Sequence, residues 1–317
     1  MPELDLLVLG DANPDLVLRG GDVVPSFGQQ ERLVEEATLT IGGSGAIFAC
    51  AAAKLGLRVG LCGVVGDDTF GRFMTDELRT RGVDTTGLAL DPELPTGVTV
   101  VLSRPEDRAI LTAPGTVSEL AAEAVDAELL ASARHIHVSS FYLQGALRPG
   151  LRQLFAKVRA TGATTSVDPN WDPSEAWSGG LLDVLAETDV FLPNSAEARA
   201  ITGVDDIDVA AEILAGRVAV VAIKFGDGGG LVARPGEPTI RVPGIGVDVV
   251  DTTGAGDSFD AGFLAGNLAG WAPERSLALA NICGGLSCRN AGGVAGQPTM
   301  EEALARMPEV EGRPVPP

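Results

Sequence analysis

Asp251 to Gly266 reads DTTGAGDSFDAGFLAG, the stretch of this 317-residue chain whose residue types and spacing best suit chemistry. Gly254, Ala255 and Gly256 run directly into a helical pattern carrying apolar Phe259, Phe263 and Leu264. A helix N-terminus offers unpaired N–H groups at the positive end of its dipole, and glycine lets an anion approach the backbone closely. Asp257 falls in the first turn, where the dipole is expected to keep it ionised. Together these residues would make a phosphoryl-transfer device. The amides of 254–257 would neutralise charge on the transferred group, and the carboxylate would accept the proton of an attacking hydroxyl. A bare Gly-Ala-Gly-Asp reads better as a capped turn without chemistry, so its surroundings must decide.

The elements that would position this turn follow a βα rhythm. Leu4 to Gly10 is a short apolar run ending in glycine, as a buried parallel strand requires. A helix is expected over Ser44 to Leu55, a strand at VGLCGVVG, and another helix including Asp76 to Arg81. From Ser118 onward helices alternate with the strands HIHVSS, ATTSVDPN, DVFLPN and VAVVAIKFG, and a long helix follows Thr253. This pattern predicts an α/β fold, a doubly wound and mainly parallel sheet flanked by helices, in one domain over 1–317. DLVLRG, RLVEEATLTI, TGVTVVL and the region from Arg108 to Thr112 alternate apolar with polar residues instead. They predict half-exposed strands of a small second sheet, a β lid over about 13–41 and 95–114. Ligands of doubly wound sheets lie beyond the carboxyl ends of the strands. Asn13, Asp15, Asp168, Asn170, Asn194 and the 251–257 loop would share that rim.

DTTGAGDSFDAGF resembles the signature of the ribokinase-like (PfkB) carbohydrate kinases. The resemblance extends from about Leu4 to Glu302 and includes GGSGAIFACAAAKLGLRVGLCGVVGDDTFG at Gly42 to Gly71. Further matches are DPN at Asp168 to Asn170, NSAE at Asn194 to Glu197 and IKFGDGG at Ile223 to Gly229. It implies a kinase using ATP and Mg2+, with Asp257 as catalytic base and the amides of Gly254, Ala255, Gly256 and Asp257 as anion hole. Asn194 and Glu197 match an NxxE element that helps organise Mg2+ and phosphate through water, as suits a hard cation. Taken alone, Glu197 would be a solvated residue in a capped first turn. Lys224, one of three lysines, would lie along the ATP phosphates or snorkel from its strand end. Gly226, Gly229 and Asn281 are expected at the nucleotide, with Gly284 and Gly285 beside the adenine. Asp251 and Thr253 match positions that bind a monovalent cation in several relatives, so K+ is a candidate cofactor.

At the sugar end the resemblance points to Asn13, Asp15, Gly42 and Gly43. Asp15 can accept from two adjacent hydroxyls, although both polar residues would also suit a local turn. Ile47 stands where many sugar kinases of the family have asparagine, which puts a ribose-type contact in doubt. GGSGAIF carries no basic residue, and DPNWD puts Trp171 and Asp172 where relatives acting on a keto acid have arginine. An unpaired buried anion is costly, so a neutral sugar is expected, with Arg108 on the lid as the reservation. Trp171 would pack on a sugar face or in the core. A nucleoside kinase of the same family and a catalytically silent ligand-binding regulator are the competing readings. A dinucleotide-binding oxidoreductase is a poor fit, because GSGAIF lacks the last glycine of its fingerprint.

Composition bounds the partners. A formal charge of −20 argues against nucleic acid and anionic membrane. Cys50, Cys62, Cys283 and Cys288 lie singly in apolar stretches, and the acidic N-terminus lacks the basic start of a signal peptide. A cytoplasmic location follows as the expectation. His135 and His137 alternate on one strand with no further ligand at metal spacing, so packing is expected of them. Lid faces commonly pair between subunits of the family, which implies a homodimer. The tail GRPVPP is expected to fray.

Overall fold

The structure, a computed structural model, describes residues 3–104 and 108–310; the GRPVPP tail lies outside them. Apolar runs such as Leu6–Leu9 are buried on both sides and form the middle of a large sheet. From one edge the order is Ile240–Val242, Gly230–Ala233, Val220–Lys224, Val190–Phe191, Thr164–Val167, His135–Val138, Leu6–Leu9, Val59–Gly66 and Val83–Asp84. Pairing is parallel except at the Gly230–Ala233 and Ile240–Val242 edge, which is antiparallel. Leu88–Asp91 pairs in parallel with the distal half of Val59–Gly66. The mainly parallel sheet and flanking helices agree with the sequence reading. One buried cluster gathers Leu6, Phe48, Leu61, Phe263 and Leu279 on one side, and a second gathers Leu7, Phe141, Phe155 and Phe191 on the other.

Helix Ala255–Leu268 packs tightly on helix Pro273–Ser287 through small residues. A Cβ on Gly262 would sit 3.0 Å from Ala280 Cα. This contact anchors the helix whose N-terminus carries the glycine turn.

A separate sheet is ordered Glu36–Gly42, Asn13–Arg19, Val98–Ser103, Arg108–Ala113. Its middle pair is parallel and its outer pairs antiparallel. The expected strand RLVEEATLTI starts only at Glu36. Strand alternation gives each face a different character. Asp15, Thr40, Thr99 and Thr112 form one cross-strand row, and Arg19, Ser103 and Arg108 form another on the same face. Arg19 and Arg108 both meet Asp251, so this face looks into the cleft above the large sheet. Asp68 ties the sheet to the body: it caps helix Thr69–Thr80 through Gly71 N at 2.8 Å and accepts from Thr96 N and Oγ1, each at 2.8 Å.

Candidate active site

Gly254 adopts φ 73°, a left-handed conformation that glycine tolerates best, and ends the loop so that Ala255–Leu268 begins abruptly. A side chain there would also collide: its Cβ would be 2.7 Å from Gly293 O and 2.8 Å from Ile47 Cγ2. Ile47 is buried and its side chain braces the glycine turn and Gly293, which gives this apolar residue a packing role beneath the anion hole. Asp257 stands in the first turn, partly buried. Burial and the neighbouring Asp168 push its carboxyl up to about 8, against the pull of Lys224 and the Ser44 hydroxyl. The helix dipole alone was expected to keep it ionised; in the ligand-free protein burial and a like charge outweigh that effect.

Lys224 ends strand Val220–Lys224 and is largely buried between Asp168, at 2.5 Å, and both oxygens of Asp260, at 3.0 and 2.9 Å. Its Nζ would lie 3.8 Å from a Cβ on Gly256, so the ammonium passes beside the glycine turn while held by two carboxylates. Burial opposes the charge of Lys224, but Asp168 and Asp260 hold its pKa above the ordinary value. Burial likewise works against Asp168, yet Lys224 keeps that carboxyl low, while burial pushes Asp260 well up. Asn194 and Glu197 form a capping box: Glu197 N donates to Asn194 Oδ1 at 2.9 Å, and Asn194 N donates to Glu197 Oε2 at 2.8 Å. The expected cap is present, but Glu197 is buried where that reading had it solvated. Its carboxyl rises to about 7, by burial and then by Asp168. Asp168 and Asp260 grip the one ammonium, and its charge also reaches Asp257 and Glu197. Among the described residues no three His, Cys, Asp or Glu side chains gather closely enough to hold a metal ion by themselves, so a divalent cation here would need ligands from a polyphosphate and water.

A cavity of about 430 Å3 opens beside this cluster. Lys224, Gly226, Gly229, Ala255, Gly256 and Asn281 line it, with Gly284, Gly285 and Cys288. Asn281 Nδ2 donates to Val242 O at 2.9 Å and Pro243 O at 3.2 Å, while its Oδ1 is buried without a protein partner.

Across the glycine turn lie the residues expected at the sugar. Asn13 donates to Thr99 Oγ1 at 3.3 Å, and Asp15 is buried. Burial, then Asp11 and Asp251, raise Asp15 to about 7, with Arg108 opposing. A methyl on Gly42 would strike the Asp15 carboxylate, and one on Gly43 (φ 76°) would lie 2.8 Å from Asn13 Oδ1. Sequence reading missed Asp11, which fixes this corner by accepting from Ser44 N at 3.1 Å and Gly45 N at 3.0 Å. It also missed Asp260, although the spacing of three from Asp257 places both on one helix face.

The loop ahead of the turn is built differently from a plain cation site. Asp251 Oδ1 accepts from Thr253 N at 2.9 Å and Thr253 Oγ1 at 2.8 Å, and Oδ2 accepts from Gly292 N at 2.9 Å. Arg19 and Arg108 approach it at 3.7 and 3.6 Å, and Arg108 Nη1 donates to Thr253 Oγ1 at 2.6 Å. Burial disfavours the ionised form of Asp251, but the Gly292 and Thr253 donors keep its carboxyl low. Positive charge at Asp251 is supplied here by the chain itself.

Trp171 is 45% exposed and meets Trp177 edge-on at 4.8 Å, so it is not a core residue. Asp172 is buried and bonded to Ser174 and Trp177 N, shaping that loop. His135 and His137 sit fully buried at the sheet centre, bonded to Thr164 and Ser166 hydroxyls, with His137 stacked on Phe48.

A glycine turn, an acidic helix start and a neighbouring cavity of about 430 Å3 are the parts that a phosphoryl transfer would use. The pfkB family carbohydrate kinase pattern matches residues 3–300, and the chain belongs to that family. It is 31% identical over 306 residues to an ATP-dependent ribose-1-phosphate kinase of Halopiger xanaduensis, covering 96% of this chain and 98% of the relative. It is 32% identical to a fructokinase of Klebsiella pneumoniae, covering 93% and 96%. Among solved structures, a candidate ribokinase II from E. coli with ATP and Mg2+ superposes with a TM-score of 0.85 at 25% identity, covering 96% of this chain and 99% of that one. The adenosine kinase of Sinorhizobium meliloti gives 0.83 at 25% identity, covering 97% and 99%. The protein is therefore a phosphotransferase of the carbohydrate kinase type. Among the described residues no helix is long and apolar enough to cross a membrane.

Proposed function

We propose that the protein transfers the γ-phosphoryl group of MgATP to a hydroxyl, primary in the simplest case, of a small sugar. What supports this reading is that Asp257 lies in the first turn of the helix that opens on the 254–257 amides, next to Ala255 and Gly256 of the 430 Å3 cavity and beside Ser44 and Asp11. ATP would lie along Gly226, Gly229 and Asn281, with its terminal phosphate at the glycine turn and Lys224 alongside. Mg2+ would arrive with ATP, neutralise phosphate charge and be met through water by Glu197, in keeping with the excess of carboxylates there. Asp257 would take the proton from the attacking hydroxyl, while the 254–257 amides receive the charge gathering on the phosphoryl oxygens. Asn13, Asp15, Gly42 and Gly43 would orient the acceptor, and the second sheet would close as a lid that excludes water. The neutral sugar expected from the sequence is one form of this proposal. A nucleoside acceptor is its rival, supported by the likeness to an adenosine kinase.

The lid's outward face carries Leu16, Leu18, Leu39, Val100, Leu102 and Leu111, which supports pairing with a second copy of the chain. The four buried, unpaired cysteines fit a reducing cytoplasm.

The test is an ADP-release assay with MgATP over sugars, sugar acids, sugar phosphates and nucleosides, run beside Asp257→Asn. Turnover of a sugar that disappears in the variant is the expected result. Turnover confined to nucleosides would transfer the reading to its rival, and undiminished turnover in the variant would remove Asp257 as the base.

A further inference from the structure

The proposed mechanism uses Lys224 but not the two carboxylates that grip it. Its Nζ donates to Asp168 Oδ2 at 2.5 Å and to the two oxygens of Asp260 at 3.0 and 2.9 Å. The Lys224 and Asp168 side chains are each 11% exposed and that of Asp260 is 1% exposed. They come from three elements: the end of strand Val220–Lys224, the loop after strand Thr164–Val167, and helix Ala255–Leu268. Glu197, on helix Ser195–Thr202, and His137, on strand His135–Val138, also feel this ammonium, as does Asp257.

Stability does not account for the second carboxylate. Asp168 alone already pairs the lysine, and burying a third ionisable group adds desolvation that one ammonium does not offset. What Asp260 adds is place. Asp168 stands on a loop, whereas Asp260 stands on the helix that opens on the 254–257 amides, three residues beyond Asp257. Residues three apart on a helix are neighbours on one face. That helix is itself fixed by close packing, since a Cβ on Gly262 would sit 3.0 Å from Ala280 Cα. Asp260 therefore ties a cation carried by a strand to the same rigid body as the anion hole and the base. The tie brings the ammonium beside the turn, where Nζ would lie 3.8 Å from a Cβ on Gly256. On its flexible four-carbon stem, the ammonium would otherwise be free to follow the Asp168 loop.

We propose that Asp260 is a positioning residue for the transfer: it holds the Lys224 ammonium in register with the 254–257 amides, where the cation meets the charge gathering on the moving phosphoryl group. This rests on the kinase reading and refines it, because Lys224 then serves the transfer more than the binding of resting ATP. A charge set in place beforehand needs no reorganisation when the phosphoryl group moves, and a displaced one loses that advantage. The effect therefore falls on kcat and not on KM. Asp260 is buried, so its effect passes through Lys224.

The experiment is steady-state kinetics with MgATP and the best acceptor of the ADP-release assay, on the wild type, Asp260→Ala, Asp260→Asn, Lys224→Met and the double variant Lys224→Met with Asp260→Ala. Asp260→Ala leaves Lys224 paired with Asp168, so no buried charge is stranded and the fold is expected to survive. It should lower kcat by about tenfold or more and leave both KM values within roughly twofold. Asparagine keeps an acceptor for the lysine at the same length and should restore kcat to within roughly threefold of the wild type. Once Lys224 is methionine, Asp260→Ala should change kcat by less than about twofold. A lower melting temperature with unchanged kcat per folded molecule would make the contact purely structural and overturn the proposal. A change confined to the ATP KM would overturn it by assigning the pair to nucleotide binding. A full tenfold loss in the Lys224→Met background would overturn it by showing that Asp260 acts through another group. If the wild type turns over no acceptor, the kinase reading fails separately, and calorimetry with MgATP and with MgADP plus aluminium fluoride, which imitates the phosphoryl group in transit, decides the positioning. Weakening of about tenfold in Asp260→Ala for the fluoride complex alone supports it, and equal affinities in the variant and the wild type, or no binding to the wild type, overturn it.

Discussion

In the proposed mechanism Asp257 accepts a proton, yet burial and Asp168 raise it to about 8 in the free protein. Only its ionised form can act as the base, so kcat/KM for MgATP, which reports the free enzyme, should rise with pH and level off above about 8. Asp168 is the largest charge holding it up, and Asp168→Asn should move that acid limb down by roughly one pH unit. An unmoved limb would show that another group sets the profile. Asp257→Asn should cost roughly 10^2 to 10^4 in kcat with little change in the ATP KM. Measured turnover within tenfold of the wild type would defeat its assignment. The glycine turn, its carboxylate and the helix were legible in the sequence, because they are contiguous from Gly254 to Gly266. The partners of Lys224 were not. Asp168 lies 56 residues away and Asp260 lies 36 away, so only folding shows that the lysine is gripped by both.

At the scale of elements, the corner between strand Leu6–Leu9 and helix Ser44–Lys54 depends on glycine for two separate reasons. Gly43 has φ 76°, and its Cβ position is crowded by Asn13 Oδ1 at 2.8 Å and Asp11 Oδ2 at 3.0 Å. Gly43→Ala should destabilise the fold by about 1–3 kcal/mol and raise the acceptor KM more than the ATP KM. An ordinary melting temperature with unchanged kinetics would refute that. The second sheet was foreseen because its strands alternate while the buried strands do not. Its register could not be foreseen, and register is what puts Arg19 in a row with Arg108. The same register lines up the apolar outward face, where Leu111 is 62% exposed. Leu39→Glu with Leu111→Glu should give a monomer if that face joins two copies. A wild type that sediments as a monomer would rule out the pairing.

Over the whole molecule, the excess of acids is drawn into the cleft as well as spread on the surface, and this couples stability to pH. Asp15 and Glu197 are raised to about 7 and Asp257 to about 8, chiefly by burial. Their ordinary values lie near 4, so between about pH 4 and 8 the folded protein binds protons that the unfolded chain has released. The stability this contributes is complete below about pH 4 and is lost as pH climbs through 7 to 8. Burial lowers His135 and His137 to about 3, which acts in the opposite sense, but only while pH is below about 6.5, where the unfolded chain would protonate them. The carboxyls that are held low, such as Asp5 at about 2 and the hydrogen-bonded Asp68 and Asp251, weaken the fold only in acid. From pH 6.5 to 8.5 the raised carboxyls therefore govern, and the melting temperature of the ligand-free protein should fall by a few degrees. Asp15→Asn should flatten that decline, since an amide has no proton to release. A melting temperature that holds steady or rises across this interval in the wild type would mean that the cleft carboxylates are already ionised and neutralised in the resting protein, and that Asp257 needs no arriving cation to become a base.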